Sequence, residues 1–185
     1  MILIAFGSNL SFGKQSPRTI VIGALGALNQ FVDVTAVSKL YVSTSWPDPS
    51  QPDYINGVAA ISTGLAPEVL LAGLHALEAS FGRQRAEMNA PRTLDLDLLA
   101  YKNRIRGGGL SHGGGKKGSN GLILPHPRMA SRDFVLAPLC DIAPDWPHPQ
   151  LKTTARELLD ALPEISVSAH PDQPVFEFLR RNSCN

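Results

Sequence analysis

Short, strongly apolar runs alternate along the chain with longer stretches whose apolar residues recur at helical spacing. Residues 2–6 (Ile-Leu-Ile-Ala-Phe) form a continuous apolar run closed by Gly7-Ser8-Asn9, the pattern of a buried strand entering a turn. Ser16-Pro17 then reads as a helix start, a capping residue followed by proline at the first helical position. Ile20, Ala24, Ala27, Leu28 and Phe31 continue it as one apolar stripe. From Val32 to Trp46 the β-branched content rises, which predicts a strand. A proline-rich link, Pro47-Asp-Pro-Ser-Gln-Pro52, leads to a second strand from Tyr54 to Thr63. The next helix is bracketed by Pro67 and Gly82, with Val69, Leu70, Gly73, Leu74, Leu77 and Phe81 at its spacing. Thr93-Leu-Asp-Leu-Asp-Leu-Leu-Ala-Tyr101 alternates polar and apolar positions as a strand does.

The order β-α-β-β-α-β predicts an α+β fold of ferredoxin-like layout, one antiparallel sheet with two helices on one face. The remainder is loop-rich until Thr154-Ala-Arg-Glu157, a capping box that opens a C-terminal helix to about Leu162. A last amphipathic stretch covers Val175 to Arg181. One segment breaks the pattern: residues 107–121 hold half of the chain's 16 glycines. The spacing of a phosphate-binding P-loop fails there, since Leu110 and Lys117 stand where glycine and Ser/Thr belong. A surface insertion is the plainer reading.

Composition narrows the class of protein. The chain has 185 residues, 43% of them hydrophobic, enough for one domain with its own core. Seventeen basic residues against 16 acidic ones leave a formal charge of +1, which argues against a disordered tail or a general polyanion binder. The two cysteines, Cys140 and Cys184, fit no metal spacing. No apolar run approaches the ~20 residues of a membrane span, and residues 1–7 lack the basic start of a signal peptide. The expectation is a cytoplasmic globular domain.

Candidate chemistry concentrates in Asn89-Ala-Pro-Arg-Thr-Leu-Asp-Leu-Asp97. Residues i and i+2 of a strand share a face, so Asp95 and Asp97 project side by side, ~7 Å apart at the backbone. Such a pair can hold a hard cation whose remaining ligands are water and phosphate. It can also be the wet face of a half-buried strand, although aspartate is disfavoured in strands and like charges on one face repel. Arg83, Arg85 and Arg92 lie close by in sequence and suit bidentate contact with phosphate oxygens. Carboxylates and guanidiniums together point to phosphoryl transfer, which depends on positioning and charge neutralisation. His126 is held between two prolines and precedes Arg132 and Phe134. Trp46, Tyr54, Asn56 and Phe134 could frame a flat heterocycle, or could be ordinary core and turn residues.

In this combination the residues resemble the 6-hydroxymethyl-7,8-dihydropterin pyrophosphokinase family. The resemblance covers about residues 2–160. It runs through Ala5-Phe-Gly-Ser-Asn-Leu10, Gln51-Pro-Asp-Tyr-Ile-Asn56, Glu78 with Gly82-Arg-Gln-Arg85, and Pro91-Arg-Thr-Leu-Asp-Leu-Asp-Leu-Leu99. It continues through Leu124-Pro-His-Pro-Arg-Met129, Arg132-Asp-Phe-Val-Leu136 and Pro138-Leu-Cys-Asp-Ile-Ala-Pro144. It implies a ferredoxin-like fold and the transfer of pyrophosphate from ATP to the pterin hydroxymethyl group in folate biosynthesis, with AMP released. By position, it implies Asp95 and Asp97 as ligands of two Mg²⁺ ions, and Arg83, Arg92 and Asp97 as catalytic. His75, Glu78, Arg85, Leu98, His126 and Arg132 fall on the nucleotide side. Ser43, Thr44, Trp46, Tyr54, Asn56 and Phe134 fall on the pterin side. The partners implied are these two substrates, with no nucleic acid and no membrane, for a monomer. The catalytic domain is expected over 1–160, with 161–185 as its extension.

Two features depart from that pattern. The loop between Gly82 and Pro91 reads Ala86-Glu-Met-Asn89 where well-known members carry further basic residues and a tryptophan, so closure over the site is expected to differ. The glycine-rich insertion falls near where the adenine is expected. Three other functions remain open on the sequence alone: a paralogue that binds without turnover, a metal-dependent nucleotidyltransferase, and an RNA-binding module of the same β-α-β-β-α-β layout.

Overall fold

The computed structural model describes residues 1–83, 91–107 and 121–173. Their order is β1 (Ile2–Ser8), α1 (Pro17–Phe31), β2 (Asp33–Val37), β3 (Tyr41–Ser43), β4 (Tyr54–Ser62), α2 (Pro67–Ser80), β5 (Asp95–Tyr101), α3 (Asp133–Ile142), α4 (Ala155–Asp160) and β6 (Ser168–Ala169). The sheet runs β5-β1-β4-β3-β6, with β2 also pairing β4, and every pairing is antiparallel. This is the expected βαββαβ core. The Ser16 hydroxyl accepts the Thr19 amide hydrogen and Pro17 opens α1, as the sequence suggests. Thr154 and Glu157 cap α4 reciprocally, and that helix ends at Asp160.

The single strand expected over 32–46 is two. Between them the Ser38 amide donates to the Val58 carbonyl and the Ser38 hydroxyl accepts from the Val58 amide, so the backbone turns at Ser38 while Leu40 is fully buried. Propensity does not distinguish a bent edge from a straight one.

Strand periodicity divides the core in two. Ile2, Ile4 and Phe6 of β1 and Leu96 and Leu98 of β5 face α1 and α2, meeting Ile20, Leu25, Leu28, Leu70 and Leu74. Leu3 of β1, Val58 and Ala60 of β4 and Leu99 of β5 face the other way and pack with Val135, Leu136 and Leu139 of α3 and Leu159 of α4. Periodicity predicts no helix at 133–142, because that segment is apolar around nearly its whole circumference and contains Pro138. A sheet face covered by an all-apolar helix carries no period to read. The extension returns to the sheet: β6 pairs β3, and the His170 amide and Gln173 side chain donate to the Leu40 carbonyl. The glycine-rich insertion beyond Gly107 and the amphipathic stretch 175–181 lie outside the described residues. Among the described residues no helix is long and apolar enough to cross a membrane.

Leu136 of α3 is fully buried against the sheet. Leu136→Ala is expected to lower unfolding free energy by about 2–5 kcal/mol, read from urea denaturation followed by circular dichroism. An effect under ~1 kcal/mol would mean that α3 does not close this face.

Candidate active site

α3 covers only part of its face of the sheet. Where it stops, a cavity of about 510 Å³ opens, floored by Ala5, Gly7, Gly57, Asp95 and Asp97 and walled by Arg132, Phe134 and Val135. In register, Gly7 of β1 faces Asn56 of β4 on one side and Asp95 of β5 on the other. Gly7 is fixed by this crowding, since a Cβ there would come within 2.8 Å of the Asn56 Oδ1. The Asn56 amide nitrogen donates to the Ser43 hydroxyl at 2.8 Å, which orients the amide on the sheet. Tyr54, Ser43, Thr44 and Trp46 complete this end, with Trp46 80% exposed at the rim. Burial raises the Tyr54 hydroxyl above its ordinary pKa, with Asp95 adding to the effect and Arg92 and Arg83 opposing it, so the ring enters the cavity as a neutral phenol.

At the other end, charges of alternating sign form a ladder. Asp95 Oδ1 lies 2.6 Å from Arg83 Nη1, and Asp95 Oδ2 lies 2.8 Å from Arg92 Nη1. Arg83 also contacts Glu78, whose Oε1 accepts the Leu96 amide of β5 at 2.8 Å. The cations that a pair of strand aspartates requires are therefore present. Burial outweighs the pull of the Leu96 amide and Arg83 and pushes the Glu78 carboxyl up to about 7. For Arg92, burial alone would lower the pKa, but Asp95 more than offsets it.

Asp97 faces His126, whose Nε2 lies 3.9 Å from Asp97 Oδ2. Burial holds the imidazole below its ordinary pKa, with Asp97 opposing and Arg132 and Arg128 adding to the shift. Its Nδ1 accepts the Arg128 amide hydrogen at 3.3 Å, so the neutral ring carries its proton on Nε2 and offers a donor towards Asp97. Arg132 is lowered by burial and by Arg128, and its guanidinium lies over the Phe134 ring at 5.2 Å.

Eleven of the expected residues share this cavity lining: Ser43, Thr44, Trp46, Tyr54, Asn56, Arg83, Arg92, Asp95, Asp97, Arg132 and Phe134. His126 joins them through Asp97. Arg85 and the loop Ala86–Asn89 lie outside the described residues. His75, Glu78 and Leu98, expected on the nucleotide side, are not among the residues that line this cavity. His75 is exposed on α2, Glu78 is 3% exposed and turned under β5, and the Leu98 side chain belongs to the core beneath α1 and α2. Helical spacing puts His75 and Glu78 near one another but does not say which way the helix is rotated against the sheet.

Asn9, Arg128 and Ser131 receive no role from the sequence. Asn9 is 1% exposed; its Nδ2 donates to the Ser45 hydroxyl and the Pro52 carbonyl, and its Oδ1 accepts the Arg92 amide at 2.8 Å. It thus ties the segment carrying Trp46 to the one carrying Arg92. A signal for it exists, a polar residue ending an otherwise apolar run. Arg128 and Ser131 line the cavity from the turn before α3, which periodicity does not mark.

The family model described as 7,8-dihydro-6-hydroxymethylpterin-pyrophosphokinase (HPPK) matches residues 3–144. The chain is 38% identical over 172 residues to the 2-amino-4-hydroxy-6-hydroxymethyldihydropteridine pyrophosphokinase of Pseudomonas aeruginosa, covering 92% of this chain and 96% of that one. It is 41% identical over 134 residues to the protein of the same name from Synechocystis, covering 72% of this chain but only 63% of that protein. A solved structure titled as HPPK-DHPS in complex with substrates superposes with a TM-score of 0.63 at 14% identity, over 86% of this chain and 44% of that chain, a likeness of fold.

Glu78 yields a pH prediction. In the unfolded chain its carboxyl ionises near 4.5, whereas in the folded protein it keeps its proton to about 7. The folded state therefore binds more protons across that interval. The stability it contributes is complete below pH 4.5 and is lost as pH rises through 7. Urea denaturation between those limits should show this decline, and Glu78→Gln should flatten it. An unchanged slope in the variant would remove Glu78 as the cause.

Proposed function

The chain belongs to the 7,8-dihydro-6-hydroxymethylpterin-pyrophosphokinase family, and from that premise we propose that it transfers pyrophosphate from ATP to the hydroxymethyl group of 6-hydroxymethyl-7,8-dihydropterin, a step of folate biosynthesis. The observation that carries this reading is the division of one cavity. A neutral end of Asn56, Tyr54 and Phe134 suits a flat heterocycle, and a charged end of Asp95, Asp97 and arginines suits a polyphosphate. Both ends open on the same sheet face, so an acceptor and a phosphate donor bound there meet.

The residues present fit Mg²⁺. Asp95 and Asp97 share a strand face at the cavity floor, and the two carboxylates leave most of a hard cation's shell to water and phosphate oxygens. Asp95 and Asp97 would hold two such ions with ATP. When bound, they would neutralise phosphate charge and make the acceptor hydroxyl more acidic.

Each side chain then has a task. Asn56, fixed by Ser43, reads the hydrogen-bonding edge of the pterin, with Tyr54 and Phe134 against its faces. Arg83 and Arg92, steadied by Asp95, lie along the transferring group, and Arg132 and the Nε2–H of His126 donate to phosphate oxygens. The hydroxymethyl oxygen attacks the β-phosphorus in line. The new O–P bond forms as the bond to the α-phosphate oxygen breaks, and that electron pair leaves with AMP. The hydroxyl proton passes first to Asp97, which is 41% exposed and has no ion-pair partner among the described residues as close as those of Asp95.

The catalytic domain spans 1–160, with 161–185 as its extension. The family match inside 3–144 and the return of β6 and Gln173 onto the sheet both support that division. The chain is taken to act as a monomer. We place the reaction in the cytoplasm, where both substrates would meet a chain without a membrane-crossing helix among its described residues.

The test is incubation with ATP, Mg²⁺ and the hydroxymethyl pterin, followed by chromatographic separation of the nucleotides. AMP should appear one-for-one with pterin loss, and Asp97→Asn should slow it by about 10²-fold or more. ADP in place of AMP would mean attack at the γ-phosphorus and would sink the mechanism. Separately, Asn56→Ala should raise KM for the pterin about tenfold or more while KM for ATP stays within twofold.

A further inference from the structure

Among the described residues four arginines line the cavity, and three of them already have a partner in it. Arg83 and Arg92 are both tied to Asp95, and Arg132 lies over the Phe134 ring. The fourth, Arg128, has neither a carboxylate nor a ring partner among the described residues. Its backbone, by contrast, is firmly held. The Arg128 amide donates to His126 Nδ1, its carbonyl accepts the Ser131 amide and hydroxyl, and the next residue, Met129, is fully buried. The stem of the side chain is therefore fixed while the guanidinium is free to meet a ligand.

The surroundings make that freedom costly unless an anion arrives. Arg128 and Arg132 stand at the two ends of the short turn Met129–Ser131 and line the same cavity, so two guanidiniums share one space. Among the described residues no carboxylate forms an ion pair with the Arg128 or Arg132 guanidinium, and Asp97 stands against His126 instead, at 3.9 Å. Two guanidiniums converging on one cavity with that little compensation form a site for a multiply charged anion, and planar donors suit phosphate oxygens. A neutral heterocycle would give Arg128 only an uncharged acceptor, which is the weaker match.

We propose that Arg128 is a nucleotide-binding residue, gripping the polyphosphate of ATP from the α3 side of the cavity together with Arg132. The assignment rests on the reading of the cavity as an ATP site and adds a residue to it. It also gives the turn before α3 a function, that of aiming one guanidinium into the cavity by holding its backbone on both sides.

The experiment measures binding of α,β-methylene-ATP with Mg²⁺ to the full chain by calorimetry, alongside steady-state KM values. Arg128→Gln should bind the analogue about tenfold more weakly, raise KM for ATP in proportion and leave KM for the pterin within twofold. Arg128→Lys should recover part of the loss, because it restores the charge but not the fork. Arg104→Gln removes a cation that does not line the cavity and should bind as the unaltered protein does. Unchanged analogue affinity in Arg128→Gln would overturn the proposal, as would a loss confined to the pterin. If the unaltered protein bound the analogue through Arg128 yet formed no AMP, the reaction assigned above would fall while the role of Arg128 stood.

Discussion

The site depends on one buried carboxyl group. Glu78 sits in the last turn of α2, under the sheet, with a single oxygen serving both the Leu96 amide and Arg83. A strand whose outward residues are two aspartates is a poor strand by propensity. Glu78 gives it a helix-borne anchor on its buried side, and Arg83 gives it a counter-charge on its exposed side. Without the first, β5 loses the contact that fixes its height against α2. Without the second, Asp95 would face Asp97 with less compensation. The burial that raises the Glu78 pKa is thus the cost of locating the charged end of the cavity.

The two ends of the cavity are built by different means. The neutral end is made from the sheet itself: Asn56 and Tyr54 lie on β4, Ser43 on β3, and Gly7 supplies the space. The charged end is made by segments that leave regular structure, Arg83 just beyond α2 and Arg92 just before β5. Asn9 joins the two, since one side-chain amide bonds the segment bearing Trp46 and the backbone of Arg92. The neutral and charged ends of the cavity are consequently coupled through the hydrogen bonds of Asn9.

Much of this is legible in the amino-acid sequence, for physical reasons that differ by element. Alternation in 95–101 puts Asp95 and Asp97 on a shared face, because a strand allows no other arrangement. Ser16-Pro17 and Thr154–Glu157 mark helix starts because caps are local chemistry. The bend at Ser38 is hidden, since it depends on a hydrogen bond to Val58 that only the folded sheet creates. α3 is hidden because both its sides are apolar. Glu78 is given to the nucleotide side by the resemblance alone, since helical spacing fixes its angle relative to His75 and not the rotation of α2 against the sheet; its bond to the Leu96 amide is visible only in the fold. Arg128 can be named in its motif but given no task, since an unpaired charge is visible only once the paired ones are known.

Gly7 has a consequence for substrate choice. Asn56 and Asp95 face it across neighbouring strands, so the groups proposed to read the pterin edge and to hold the cation stand two interstrand spacings apart, ~10 Å. That interval is set by ladder hydrogen bonds and not by rotatable side chains, so it works as a length gauge. A molecule whose recognised edge and reactive oxygen are much closer together or further apart can satisfy one end of the cavity only. The sheet would thus reject acceptors by size before any chemistry begins, and changes in the surrounding loops would leave the gauge unaltered.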